Sequence, residues 1–229
     1  MTGDKTDMEI SQGVHLIKGV RGSNCYLVTH PELTLIDTGM PGQHRKILSY
    51  ITSLGYENGK LRRIILTHHD LDHMGSAADL QRVTGAAVCI HRADADCVLG
   101  RSPRRPFWKA WLSSLATLWP EFRPPEITRL LEDGQNMDLL QVIHTPGHSA
   151  GSITVKYGPV LFVGDLLRWG RVFKQTPRCF NEDSSAIRDS IKKIASLDFD
   201  LLCPGHGKPV FGASHKLREL GSRWSWGRQ

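Results

Sequence analysis

The chain has 229 residues, of which 40% are hydrophobic and 23% are charged, and its formal net charge is +6. This composition supports a folded core and excludes an intrinsically disordered chain. No apolar run reaches the roughly 18 residues of a membrane helix, and the N-terminus lacks the apolar segment of a secretory signal, so we expect a cytoplasmic protein.

The cysteine spacing and the net charge limit the kinds of metal site and binding partner that the chain could have. An odd number of cysteines without any CxxC pair argues against a disulfide framework and against a thiolate zinc site, and we expect most of them to be small core residues. The basic charge permits an anionic substrate or a nucleic-acid partner but requires neither. The five cysteines are Cys25, Cys89, Cys97, Cys179 and Cys203.

Strands and helices alternate through the first half of the chain. Apolar runs predict strands within residues 8–37, the last of which ends on Asp37. A helix at 41–54, a strand at 63–66, a helix at 74–83 with Leu80 and Val83 turned inward, and a strand at 86–90 follow. This alternation predicts an α/β fold in layers.

The second half of the chain returns to strands after an interruption. The apolar runs and turn residues predict a strand at 139–143, a hairpin at 153–163, a helix at 184–196 with Ile187, Ile191 and Ile194 inward, a strand at 201–203 and a short helix around Leu217.

Residues 98–126 break this rhythm with five prolines. Phe107, Trp111, Leu115 and Leu118 recur at helical spacing between them. The segment can be a helix packed on the core, a lid that walls the substrate, a dimer contact or a membrane-surface helix. As a lid it would offer aromatic rings to an apolar group and guanidinium groups to an anionic one, with Arg104, Arg105, Trp108 and Trp111 as the candidate substrate contacts.

The run from Thr67 to His73 holds three imidazoles and two carboxylates in six consecutive residues. Imidazole nitrogen and carboxylate oxygen are ligands of divalent metals. Taken alone, this run could also be a solvated polar turn. The run directly follows an apolar strand, and other metal-capable side chains later in the chain also follow strands.

The same order of strand, turn and metal-capable residue occurs five times. It occurs at Asp37, at the group of His68, Asp70, Asp72 and His73, at His148, at Asp165 and at His206. Asp37 alone could equally cap a turn. If the strand ends converge, the groups other than Asp37 number seven, which exceeds the four ligands of one zinc ion. Two ions are then the simpler interpretation.

The motifs THHDLDH, TPGHSAGS, GD and PGHG together resemble the metallo-β-lactamase-fold hydrolase superfamily, and most closely its glyoxalase II-like branch. The resemblance covers residues 37–206. It implies a single domain over residues 1–229, built as a four-layer αβ/βα sandwich with two mixed β-sheets flanked by helices and a lid-like insertion at about 98–126.

The resemblance also implies a role for each site residue. One metal ion would bind to His68, Asp70 and His148, and a second to Asp72, His73 and His206. Asp165 would bridge the two ions, and Asp37 would orient a ligand. Asp72 and Asp165 are the catalytic candidates, and His69 is expected to be structural.

Asp70 departs from the family pattern, HxHxDH, which has a second histidine at this place. A carboxylate still binds metal, but it is a harder and more anionic ligand. We therefore expect two divalent ions, with zinc first and iron or manganese as alternatives.

The implied activity is hydrolysis of an ester, thioester, lactone or related acyl bond by a metal-bridging hydroxide. The alternatives are a phosphodiesterase or ribonuclease of the same superfamily and a sulfur dioxygenase-like protein with one iron. We expect a small-molecule substrate rather than nucleic acid. The sequence is compatible with a homodimer but does not require one. No basic set for gripping glutathione is evident, so glyoxalase II activity itself is not assigned.

Overall fold

The structure is a computed structural model that describes residues 9–103, 105–106, 122–169 and 173–225. These residues form two compact units. The first contains residues 9–66, 70–90 and 122–130, and the second contains residues 67–69, 91–103 and 105–106 and the described residues from 131 onward.

A seven-stranded mixed sheet lies mainly in the first unit, with its strands in the order of the sequence. β1 to β4 pair antiparallel, whereas β4, β5 and β6 run parallel. The carboxyl ends of β4 and β5 therefore point the same way, and Asp37 directly follows β4. The strands are β1 (Glu9–Ser11), β2 (Val14–Leu16), β3 (Tyr26–Val28), β4 (Leu33–Ile36), β5 (Leu61–Ile65), β6 (Ala87–His91) and β7 (Arg129–Leu131).

Helices connect the parallel strands. These are α1 (His44–Ser53), α2 (Leu71–Met74) and α3 (Ala77–Thr84), with a 3₁₀ turn at Asn58–Lys60. The helix predicted at 74–83 is observed as α3, which begins three residues later, and α2 is a separate short helix before it. Gly75 lies between them with no room for a side chain, because a Cβ there would meet the backbone nitrogen of Pro41 at 2.4 Å. The next residue, Ser76, donates a hydrogen bond to the carbonyl of Met40 at 2.7 Å.

Helix α3 buries Leu80 and ends at Gly85, which has the left-handed backbone that glycine favours (φ 70°). The prediction that Val83 points inward is wrong, since Val83 is 42% exposed. A helix of eight residues covers a narrow stripe, and Val83 lies outside it.

The second unit contains a five-stranded sheet in the order β14, β11, β10, β9, β8 and a separate two-stranded sheet of β12 and β13. Helix α4 and strands β8, β12 and β13 were not predicted. The elements are α4 (Arg92–Val98), β8 (Asn136–Met137), β9 (Leu140–His144), β10 (Ile153–Tyr157), β11 (Val160–Gly164), β12 (Leu167–Trp169), β13 (Phe173–Gln175), a 3₁₀ turn (Arg178–Phe180), α5 (Ser184–Ala195), β14 (Leu201–Pro204) and α6 (Ala213–Ser225).

Helix α5 packs its apolar face into the core of this unit. Ile187, Ile191 and Ile194 are fully buried, as predicted. The helix begins at Asp183, whose carboxylate accepts hydrogen bonds from the backbone N–H groups of Ser185 (2.7 Å) and Ala186 (3.1 Å). Hydrogen bonds from Ser185 are the main reason why the pKa of Asp183 lies below its ordinary value.

Strand direction in this sheet determines where the candidate ligands lie. β11 pairs parallel with β14, and β10 pairs antiparallel with both β9 and β11. β9, β11 and β14 therefore run the same way, and their carboxyl ends meet at one edge. The residues after these ends include His148, Asp165 and His206.

Cys25, Cys89 and Cys203 are buried. This agrees with the prediction that most of the five cysteines are core residues. Burial is the main cause of a raised pKa for Cys89, at about 11. Across the described ranges, no helix has both the length and the apolar character needed to cross a membrane.

The rings of His91 and His144 stack in the second unit, with centroids 4.1 Å apart and planes 8° apart. The Nδ1 atom of His91 accepts a hydrogen bond from the N–H of Ala93 and so caps α4. Burial, followed by the charge of His144, holds the pKa of His91 below its ordinary value, although Asp94, Asp133 and Glu132 oppose this shift.

We expect the His91→Asn variant to weaken the pH dependence of stability. A lowered histidine pKa means that the unfolded chain binds more protons, so protonation below about pH 6.5 favours unfolding. Asparagine keeps an oxygen for the helix cap but does not titrate.

Urea unfolding at about pH 7.5 and 5.5 measures this effect. Between the higher and the lower pH, the variant should lose less free energy of unfolding than the wild type. His215→Asn, at an exposed position of α6, is the control and should keep the wild-type slope. Equal slopes for His91→Asn and the wild type would contradict this expectation.

Candidate metal centre

Asp165 follows strand β11 and presents its two carboxylate oxygens to two different imidazoles. Oδ2 lies 3.8 Å from Nε2 of His148, and Oδ1 lies 3.4 Å from Nε2 of His206. The preceding residue, Gly164, is in the left-handed region (φ 49°), and a Cβ there would meet Oγ1 of Thr67 at 2.7 Å. The turn that delivers Asp165 therefore requires glycine.

His68 joins this group from the loop after β5. Its ring lies edge-on to that of His148, with centroids 4.7 Å apart. One ligand atom from each of His68, His148 and Asp165 lies within 4.8 Å of the others, and all three residues are buried. The Thr67 carbonyl accepts a hydrogen bond from the N–H of Ile153 at 2.9 Å, which fixes the loop that carries His68.

Hydrogen bonds at Nδ1 orient two of these rings. Nδ1 of His148 lies 3.1 Å from Oδ1 of Asn181, and the amide of Asn181 in turn donates to the Thr176 carbonyl at 2.9 Å. Because Oδ1 of Asn181 can only accept, Nδ1 of His148 is the donor, and Nε2 is left as the atom that can bind a metal. Nδ1 of His68 contacts Oγ1 of Thr67 at 3.0 Å.

The donor set of the second unit fits a divalent metal. With bonds of about 2.1 Å, two ligands of a tetrahedral ion lie roughly 3.4 Å apart. The separations of 3.4 and 3.8 Å at Asp165 are close to this value, and the 3.8 Å pair is too far apart for a hydrogen bond. Each oxygen of Asp165 can thus share a different ion with a different histidine.

A positive charge lies beside Asp165. Nη2 of Arg168 is 3.3 Å from Oδ2 of Asp165, and the guanidinium carbon lies 6.0 Å from the centre of the Phe180 ring. The Arg168 side chain is 37% exposed. Arg168 was not predicted as a site residue, because no local pattern distinguishes it from the other basic residues of the chain.

The first unit holds a second cluster of candidate site residues. Nδ1 of His73 lies 2.8 Å from Oδ2 of Asp37, and both side chains are buried. A carboxylate at Nδ1 leaves Nε2 as the atom that can bind a metal. Asp37 has a positive φ of 59°, which is uncommon for a residue with a side chain. Oδ2 of Asp72 lies 4.0 Å from Nε2 of His73.

The remaining predicted site residues are Asp70 and the four candidate substrate contacts. Asp70 directly precedes α2 with extended backbone, is half-buried, and its side chain does not cap that helix. Its role as a ligand stays a prediction. Arg105 is exposed. Arg104, Trp108 and Trp111 lie outside the described residues, as does most of the predicted lid.

Asp94, which the sequence analysis missed, accepts hydrogen bonds from two loops. Its Oδ2 accepts from the N–H of His69 (3.0 Å) and from Oγ of Ser149 (2.7 Å), and its Oδ1 accepts from the N–H of Gly151 (2.6 Å). Nδ1 of His69 is 2.9 Å from Oδ2. Burial opposes ionisation of Asp94 most strongly, but hydrogen bonds from His69 and Ser149 outweigh it and hold its pKa below the ordinary value.

The sequence pattern of the metallo-beta-lactamase superfamily matches residues 19–206, which include every predicted metal ligand. The chain belongs to the metallo-beta-lactamase superfamily. This member is 30% identical to the probable metallo-hydrolase YflN of Bacillus subtilis strain 168, over 96% of each chain. It is 28% identical to a hydroxyacylglutathione hydrolase of Cereibacter sphaeroides, over 68% of this chain and 52% of that protein. The predicted resemblance is confirmed.

Solved structures confirm the predicted fold of this superfamily member. The metallo-beta-lactamase family protein TTHA1429 from Thermus thermophilus matches with a TM-score of 0.70 and 19% identity, over 95% of this chain and 81% of that one. TTHA1623, solved in a di-iron-bound form, matches with a TM-score of 0.67 and 28% identity, over 88% and 96%. Family membership and the grouped histidine and aspartate side chains support a metal-dependent hydrolase.

Proposed function

We propose that this protein is a binuclear metal-dependent hydrolase of acyl bonds, namely esters, thioesters or lactones. The observation that carries the proposal is the carboxylate of Asp165, whose two oxygens face different histidines at 3.4 and 3.8 Å. A carboxylate that bridges two ions needs this arrangement, whereas a site for one ion needs only one of the two oxygens.

The proposal divides the ligands between two sites that share Asp165. The first ion would bind to His68, His148 and Asp70. The second would bind to Asp72, His73 and His206. When bound, such ions supply a water of lowered pKa and a Lewis acid that polarises a carbonyl oxygen.

The side chains around the ligands would fix the orientation of the histidine rings. Asn181 keeps the proton on Nδ1 of His148, and Asp37 does the same for His73, so that both rings present Nε2. The carboxylate of Asp72, which is one-third exposed and so can reach a substrate, would accept the proton that the attacking water releases and pass it to the leaving group.

The substrate class follows from the relatives and from local charge. Hydroxyacylglutathione hydrolases, by their name, act on a glutathione thioester, and this chain matches about half the length of one of them. Arg168 beside Asp165 would favour a substrate with an anionic group near the scissile bond. Zinc suits the histidine-rich ligand set, and the di-iron form of TTHA1623 makes iron the first alternative.

Metal removal tests the proposal. We expect the purified protein to hold close to two divalent ions per chain and to hydrolyse at least one thioester, lactone or ester. Dialysis against a chelator should lower that rate by at least about 100-fold, and zinc or iron should restore it, because the ions supply the nucleophile and the Lewis acid.

Three outcomes would contradict this function. Acyl hydrolysis that survives complete removal of metal would exclude the mechanism. Turnover of phosphodiesters alone would favour the nuclease alternative. One iron per chain together with oxygen consumption would favour the dioxygenase-like alternative.

A further inference from the structure

Asp94 binds, in each of two loops, the residue that directly follows a candidate ligand. His69 follows His68, and Ser149 follows His148; both donate to the same oxygen, Oδ2. The carboxylate is not used to cap its own helix, because His91 caps α4. Asp94 therefore connects two loops that are distant in the sequence and adjacent at the candidate site.

The surroundings of Asp94 are built to hold an ionised carboxylate. Asp94 is 1% exposed, and burying a charge is costly unless hydrogen bonds satisfy it. A Cβ at Gly151 would lie 2.5 Å from Oδ1, so the approach of that backbone N–H requires glycine. Ser149 is also held by Ser152, whose Oγ accepts from the N–H of Ser149 at 2.9 Å. These contacts give a physical reason for the small residues of the TPGHSAGS motif.

We propose that Asp94 is a positioning residue of the metal site, which sets the spacing and ring orientation of His68 and His148. This inference rests on the proposed function. Several short hydrogen bonds to one ionised group resist displacement more strongly than neutral ones, and both loops share this group. Movement of either loop away from Asp94 would separate the two Nε2 atoms that must bind one ion.

Metal affinity tests this role without any substrate. In Asp94→Asn, the amide has similar size, but it lacks the charge and turns a donor toward the donors of the two loops. We expect one zinc ion to bind about 10–100-fold more weakly, as is typical when a residue that orients a metal ligand is lost. The absorption spectrum of the cobalt-loaded protein should also change, because the ligand geometry changes.

Asp96→Asn is the matched control, since Asp96 lies in the same helix with a side chain that is 63% exposed. The control should keep the zinc affinity and cobalt spectrum of the wild type.

A purely structural role predicts a different result. In that case Asp94→Asn would melt at a lower temperature yet bind zinc with wild-type affinity and give the wild-type cobalt spectrum, and our inference would be wrong. If Asp94→Asn does not fold, Ser149→Ala removes one donor only and should weaken zinc binding several-fold. Unchanged affinity in Ser149→Ala would then overturn the inference. A wild-type protein that takes up no ion would instead refute the proposed function, and the inference with it.

Discussion

An Asp165→Asn variant is expected to lose most of its metal and almost all of its hydrolytic activity. Asparagine keeps the shape of the side chain but removes the charge and one of the two oxygens that we propose to bind metal. Loss of a residue that only orients a ligand costs about 10–100-fold, so loss of a shared ligand should lower kcat/KM by about 1,000-fold or more. Elemental analysis should find one ion per chain or fewer.

The matched control is Asp189→Asn in α5. Its side chain is 78% exposed and forms an ion pair with Lys192. Exposed pairs contribute little, so this variant should keep both ions and a rate within about twofold of the wild type. An Asp165→Asn protein with two ions and a wild-type rate would show that this carboxylate is not shared between metals.

Replacement of Gly147 by alanine is expected to destabilise the protein by about 3 kcal/mol or more, because backbone strain and overpacking each cost roughly 1–3 kcal/mol. Gly147 has a φ of +134°, which side chains rarely adopt. A Cβ there would lie 2.5 Å from the backbone nitrogen of Ile187 and 2.8 Å from the carbonyl oxygen of Asp183. Backbone atoms at the start of α5 cannot move without disturbing the helix. Urea unfolding of the variant and the wild type measures the difference.

Two other glycines separate the causes of this loss. Gly158 has a positive φ of 51°, but a Cβ there would have no neighbouring atom within 4 Å, so Gly158→Ala should show backbone strain alone, about 1 kcal/mol. Gly59 has neither a positive φ nor a neighbour, so Gly59→Ala should change stability by less than about 0.5 kcal/mol. If Gly147→Ala lost no more stability than Gly158→Ala, the contacts with α5 would be shown to relax cheaply.

The periodicity of apolar residues correctly predicted a helix such as α5, in which one whole face is buried. Ile187, Ile191 and Ile194 recur at helical spacing and are buried in α5. Val83 was wrongly predicted to be buried, because periodicity does not define how much of a short helix is covered. Helix α4 and the short strands β12 and β13 carry no long apolar pattern, and their partners lie elsewhere in the chain.

The candidate ligands were recognisable because each follows a strand and because their order resembles a known family. The residues that orient them were not recognisable. Asp94 is 25 positions from His69, and Asn181 is 33 positions from His148. Nothing near Asp94 or Asn181 in the sequence marks either as a partner of a ligand loop, and only the folded chain brings them together.

The common direction of β9, β11 and β14 has a practical consequence. The turn between β10 and β11, at Gly158, lies at the end of the sheet opposite to Asp165, and Gly158 is exposed. An affinity tag or a fluorescent label introduced there would face away from the ligand-bearing turns. The protein can therefore be immobilised or visualised from that end without covering the turns that carry the candidate ligands.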